Sequence, residues 1–106
     1  MSVPQYTTPT LTLVFTKQGL DLTQAHNVYV TLASGRTEIT KEGDSLEIAE
    51  KSIGVYLTQA ETARFPVGDV EVQANWTMQN GNRSDRGASK VAKFEISKQL
   101  LKRVIE

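Results

Sequence analysis

The sequence predicts an all-β fold, specifically an immunoglobulin-like antiparallel β-sandwich with a short C-terminal α-helix. Short segments alternate apolar and polar residues, and turn-forming residues separate them at regular intervals, which is typical of sandwiches. A small barrel satisfies the same pattern, but the strands are short and uneven, which favours the sandwich. At 106 residues the chain is long enough for one domain with a modest core.

We expect three parts along the chain. Residues 1–9 form an extended N-terminal arm, because Pro4 and Pro9 favour extended geometry in the residues before them. Residues 10–97 form the sandwich, and residues 98–106 form an amphipathic helix.

The first half of the domain contains five predicted strands. The first begins at Thr10 and places Leu11, Leu13 and Phe15 on one apolar face. A helical turn over residues 23–26 precedes the second strand. The remaining strands are predicted at residues 27–33, 37–41, 45–48 and 53–57, with a hairpin at 42–44.

A capped helical turn and a long strand follow. Thr58 and Glu61 have the spacing of a capping box, in which a hydroxyl and a carboxylate satisfy each other's backbone donors. The next strand alternates strictly, and its apolar face carries Val70, Val72, Ala74, Trp76 and Met78. We therefore place Trp76 in the core between the sheets.

Asn80-Gly81 is the strongest hairpin signal in the chain, because a type I′ turn needs positive φ at both central residues. Gly87 in the return strand indicates a bulge. The last strand is predicted over residues 91–96.

The C-terminal segment has helical spacing. Ser97 is a plausible N-cap, and the apolar stripe that follows it consists of Leu100, Leu101, Val104 and Ile105. A helix of about nine residues is marginal on its own in water, so it needs a surface to dock on. The stripe either closes one end of its own sandwich or binds a second subunit.

Composition excludes several function classes. Twelve basic and twelve acidic residues give zero net charge, so electrostatics offers no case for nucleic acid or an anionic membrane. Cysteine is absent, which excludes disulfides and thiol chemistry. No apolar run approaches the roughly 20 residues that span a bilayer, and the N-terminus does not have the pattern of a secretory signal.

We find no catalytic constellation, and we expect no enzyme activity, cofactor or metal. Phosphate-binding loops, nucleophile–base sets and metal-ligand spacings are missing. His26 is the only histidine and has no partner at a recognisable spacing, so we interpret it as a loop or cap residue. The locally basic loop over residues 80–90 has no aromatic residue to stack a base.

Tyr29 and Tyr56 alternate with the inward residues of their strands, so we expect both on outer sheet faces. Exposed aromatic rings can stack on a sugar or pack on a protein, and cross-strand packing is the structural alternative. The candidate partner-binding residues are therefore Tyr29, Tyr56, Leu100, Leu101, Val104 and Ile105.

The run from Val55 to Phe65, continuing through Gly68, Val70 and residues 72–76 to the Asn80-Gly81 turn, resembles phage and prophage tail-region proteins. It is similar to the N-terminal domain of upper-baseplate proteins of the BppU type. The segments at residues 6–13 and 96–101 also resemble short phage proteins encoded beside tail-fibre genes.

The resemblance implies a non-enzymatic structural or adaptor module of a virion tail, made in the bacterial host cytoplasm. Its implied partners are other tail or baseplate proteins, with a homo-oligomer through the C-terminal helix left open. Longer members continue into a coiled coil or receptor-binding head, so a chain ending at Glu106 argues against direct binding of a host receptor and leaves an adaptor or accessory role. The alternative function is a carbohydrate-binding module for host cell-surface sugars, which Tyr29, Tyr56 and Trp76 motivate.

Overall fold

The computed structural model describes residues 2–105, apart from the side chain of Asn80. The described strands are β1 (Ser2–Pro4), β2 (Thr10–Val14), β3 (Asn27–Ser34), β4 (Thr37–Glu42), β5 (Leu46–Ala49), β6 (Ser52–Tyr56), β7 (Gly68–Asn80), β8 (Arg83–Ala88) and β9 (Ala92–Ser97). The described helices are α1 (Gln59–Arg64) and two 3₁₀ turns at Leu22–Gln24 and Gly43–Ser45.

These strands form two sheets that share one apolar core. The smaller sheet has the order β2-β6-β5 and is antiparallel. The larger has the order β1-β9-β7-β3-β4, and β8 also pairs with β7. A mostly β fold is therefore confirmed, whereas the immunoglobulin-like topology stays a prediction. The wholly antiparallel arrangement is wrong, because β1 runs parallel to β9.

The core forms because each sheet presents one apolar face. Buried side chains alternate with exposed ones along β3 and β7, as a two-residue period requires. Trp76 is 7% exposed, which confirms its predicted place in the core. The fully buried side chains from both sheets include Val30, Leu32, Ile53, Val55, Val70 and Ile96.

Strand β7 organises the larger sheet. It is 13 residues long, and residues 71–77 pair with β3 on one side. Its first residues pair with β9 and its last residues pair with β8, so β8 and β9 share the other side. The β7–β8 hairpin continues past the end of β3, because β3 begins opposite Thr77.

Two predicted turns are placed differently. The hairpin expected at residues 42–44 is not formed, because β4 pairs with β3 and β5 pairs with β6. The 3₁₀ turn at Gly43–Ser45 instead carries the chain from one sheet to the other. The β7–β8 turn lies one residue later than predicted, since Asn80 pairs with Arg83 and leaves Gly81 and Asn82 at its centre. Gly81 has a φ of 64°, a conformation that glycine adopts without strain.

The helix predicted over residues 98–106 is not formed. Residues 98–105 make bends without a helical turn, and Glu106 lies outside the described residues. So short a helix needs a docking surface, yet the side chains of its apolar stripe remain exposed. Residues 2–4, expected to belong to an extended N-terminal arm, instead form β1 of the larger sheet. Its Val3 side chain is buried in the hydrophobic core. The three-part division of the chain stays a prediction.

Candidate partner-binding groove

An open groove of about 640 Å³ lies between the two sheets. One wall is β2 with the segment that follows it, and the other is the junction between β8 and β9. The lining residues are Thr12, Leu13, Val14, Phe15, Thr16, Lys17, Leu20, Trp76, Gly87, Ala88, Ser89, Lys90, Val91 and Ala92.

Trp76 contributes the largest side chain of the lining, and its position depends on two neighbours. The ring of Phe15 meets the indole edge-to-face, with ring centroids 5.5 Å apart and planes at 81°, which is a favoured aromatic arrangement. Gly87 lies directly opposite Trp76 in the β7–β8 register. A Cβ at position 87 would lie 2.6 Å from Cε2 and 2.9 Å from Cζ2 of the indole. The indole therefore occupies the space above Gly87 that any other residue would fill, and no bulge is needed to explain this glycine.

Ser89 fixes the opposite wall. Its backbone N–H donates to the Ala74 carbonyl at 2.9 Å, and its Oγ accepts from the Ala74 N–H at 2.9 Å. The Gln73 Nε2 donates to the Ser89 carbonyl, also at 2.9 Å. These bonds hold the chain against β7 where β8 ends, so the junction keeps its position between two strands.

The charged residues of the groove lining are all positive. Lys17 and Lys90 carry the formal charges, and no aspartate or glutamate is among the lining residues. The rest of the lining is apolar, hydroxylated or glycine. Chemically, such a groove offers apolar contact and attraction for negative charge.

The predicted tyrosines do not lie in this groove. Tyr29 is 38% exposed on β3 of the larger sheet, and Tyr56 is 49% exposed on β6 of the smaller sheet. Both alternate with core residues of their own strands, so they point away from the core on opposite sides of the domain. They therefore form no common aromatic platform, and the sugar-binding alternative stays a prediction without a geometric basis.

The C-terminal apolar residues are exposed, and the last of them, Ile105, contacts α1. Leu100, Leu101, Val104 and Ile105 are 85%, 45%, 52% and 60% exposed, respectively. The Gln59 amide holds the segment, because its Nε2 donates to the Ile105 carbonyl at 2.7 Å and its Oε1 accepts from the Ile105 N–H at 2.8 Å. The Gln99 Nε2 donates to the Gln5 carbonyl at 3.3 Å. Hydrogen bonds of two glutamine side chains thus hold the segment in place, while its apolar side chains remain exposed to solvent.

Helix α1 is anchored by the predicted capping box, which the structure confirms. The Thr58 N–H donates to Glu61 Oε1 at 2.9 Å, and the Glu61 N–H donates to Thr58 Oγ1 at 3.2 Å. The Lys41 Nζ donates to both Glu61 oxygens at 2.7 Å, which ties the helix to β4. Burial raises the pKa of Glu61, but the bonds from Lys41 and Thr58 together outweigh it and lower the pKa below its ordinary 4.5.

Other chemistry-bearing residues are scattered. His26 is exposed between a 3₁₀ turn and β3. Within residues 2–105, no three histidine or carboxylate side chains gather closely enough to hold a metal ion. In the same residues, no helix has the length and apolar character needed to cross a bilayer.

The groove is not predictable from local sequence patterns, because three separate stretches of the chain form it. The available signals were Phe15 and Trp76, which both face the core, and Gly87 in the return strand. A turn centred on Asn80 and Gly81 would pair Trp76 with Asp85, whereas the observed register pairs it with Gly87. The one-residue error in the turn therefore concealed the contact that shapes the groove.

The chain is thus a small two-sheet β-domain with an open groove between its sheets. No protein-family model and no curated protein sequence matches it. Among solved structures, it shares its fold with the N-terminal domain of phage TP901-1 ORF48, at a TM-score of 0.60 and 10% sequence identity. The alignment covers 90% of this chain and 81% of that one. The resemblance to a phage tail-region protein is confirmed at the level of the fold.

Proposed function

We propose that this chain is a non-enzymatic structural or adaptor module of a phage or prophage tail, placed at the baseplate or at a fibre attachment. The observation that carries the proposal is the fold shared with the N-terminal domain of phage TP901-1 ORF48 over 90% of the chain. That likeness agrees with the resemblance of residues 55–80 to baseplate proteins.

The surface supports a role that depends on protein–protein contacts. A groove with an apolar lining and exposed apolar side chains after β9 are both features that protein partners cover. On this proposal the chain is made in the host cytoplasm and ends in the virion tail, with other tail or baseplate proteins as its partners. An immunoglobulin-like arrangement of the two sheets is part of the proposal.

Quantitative mass spectrometry of purified tails tests the proposal. The phage or prophage that encodes the chain is induced, tail particles are purified, and the chain is counted against the tail-tube and baseplate proteins. We expect a fixed ratio that survives a high-salt wash and repeated gradient purification. An abundant host protein serves as the contamination control. A chain that is abundant in the lysate but depleted from particles to the level of that control would overturn the proposal.

A further inference from the structure

We propose that the groove binds an extended, acidic segment of a partner protein, which adds as a strand to the open edge of β2. This inference deepens the proposed function and rests on it, since the partner is taken to be another tail component.

Strand β2 has a partner on one side only within the described residues, because it forms the edge of the smaller sheet. The Phe15 N–H donates to the Lys51 carbonyl at 2.8 Å, and the Leu57 N–H donates to the Pro9 carbonyl at 3.1 Å. Alternation in an antiparallel ladder then directs the odd-numbered residues of β2 toward β6. The N–H and C=O groups of Thr12 and Val14 point the other way, along the open edge.

That open edge borders the groove. Thr12 and Val14 both line it, so their outward backbone groups are available to a chain lying in it. The facing wall carries a second open edge, because the Ser89 N–H bonds to Ala74 and alternation then turns the Ala88 backbone away from β7. An extended segment is the kind of ligand whose backbone satisfies such edges, and it is recognised through alternate side chains.

The side chains that line the groove indicate which residues the bound segment should carry. Leu13, Phe15 and Trp76 offer apolar surface on the inner side of the groove, suited to every second side chain of the incoming strand. Lys17 and Lys90 favour negative charges on that strand, and no carboxylate among the lining residues opposes them.

The same charge argues against the chain's own C-terminal segment as the occupant. That segment, residues 98–106, carries three basic residues, Lys98, Lys102 and Arg103, against one acidic residue, Glu106. It would therefore bring positive charge to a positive groove. Its Ile105 backbone is also already bonded to Gln59 beside α1. A separate acidic partner fits the groove better than a second copy of this tail.

A pair of synthetic seven-residue peptides tests the recognition directly. One alternates glutamate with valine and threonine, and the other has lysine in place of every glutamate. Trp76 is the only tryptophan of the chain and lines the groove, so its fluorescence reports binding. We expect the acidic peptide to bind about tenfold more tightly at low salt, with the difference shrinking as salt rises.

Amide hydrogen exchange locates the contact. We expect the acidic peptide to slow exchange at Thr12 and Val14, whose N–H groups point along the open edge of β2. Equal binding of both peptides, protection confined to other strands, or no binding of the acidic peptide would each overturn the inference.

Particle incorporation separates this inference from the proposed function. Val14→Pro removes an outward N–H that takes no part in the β2–β6 ladder, and proline is tolerated on edge strands, whereas Val14→Thr keeps that N–H. Circular dichroism confirms that both variants are folded. We expect Val14→Pro to be lost from tail particles and Val14→Thr to be retained. Full incorporation of Val14→Pro overturns the groove inference alone, whereas absence of the unaltered chain from particles overturns the proposed function.

Discussion

At the scale of single residues, the contact between Trp76 and Gly87 decides the shape of the groove. We expect Gly87→Ala to destabilise the domain by about 1–3 kcal/mol, because the new methyl group would overlap the buried indole and force it out of its edge-to-face contact with Phe15. Urea unfolding followed by Trp76 fluorescence measures the change, and the emission of the folded protein should also shift.

Gly54→Ala is the matched control for that substitution. Gly54 also lies within a strand, but a Cβ there meets its nearest neighbour, the Cβ of Glu47, at an ordinary 3.4 Å. Its change in unfolding free energy should be small or favourable, by up to about 1 kcal/mol, because alanine restricts the unfolded chain. Equal destabilisation by both substitutions would show that loss of any strand glycine, and not the indole contact, is responsible.

At the scale of elements, helix α1 is held to β4 by the ion pair between Lys41 and Glu61. Glu61→Gln keeps the capping box, since glutamine can also accept from the Thr58 N–H, but it removes the ion pair. We expect a loss of about 1–2 kcal/mol at neutral pH, because a hydrogen bond to a charged group contributes about 1.5–3 kcal/mol and glutamine can still accept a neutral one. Urea unfolding of both proteins at pH 7 measures this difference.

The pH dependence of that difference has a definite sign. The folded-state pKa of Glu61 lies below its ordinary 4.5, so the stabilisation is fully present above pH 4.5. It is lost as the pH falls through the lowered pKa. The unaltered protein and Glu61→Gln should therefore converge in stability in acid. A constant difference from pH 7 down to pH 3 would exclude the carboxylate charge as its source.

Elements with strong local signals were predictable, and those set by distant pairing were not. The alternation of β7 and the Thr58–Glu61 spacing are local, so the sequence indicated the long strand and the capped helix correctly. The parallel β1–β9 pair and the assignment of β4 and β5 to different sheets depend on which distant strand offers a free edge. Local patterns carry no information on that choice.

The prediction of a C-terminal helix was wrong for a related reason. Its apolar stripe has the correct spacing, but spacing stabilises so short a helix only when a surface covers the stripe. Within residues 2–105, the structure leaves those side chains exposed. The candidate groove could not be predicted from the sequence either, because β2 and the β8–β9 junction approach each other only in the folded molecule.

At the scale of the whole molecule, deleting the C-terminal segment shows whether its apolar side chains stabilise their own domain or are available to a partner. Residues 98–105 are held against the domain by hydrogen bonds of the side-chain amides of Gln59 and Gln99. Their apolar side chains are largely exposed, so they bury little apolar surface. We expect deletion of residues 98–106 to lower the free energy of unfolding by no more than about 1–2 kcal/mol. Circular dichroism and urea unfolding of the truncated chain measure this.

Gln59→Ala in the full-length chain is the control, because it removes the tether and keeps the apolar side chains. If truncation and Gln59→Ala cost the same small amount, the apolar stripe contributes nothing to its own domain, and its exposed leucines and isoleucine are left for a partner. Light scattering of both proteins then shows whether that partner is a second copy, since a dimer through this segment would dissociate on truncation. A truncation that unfolds the domain would instead show that the segment closes its own core.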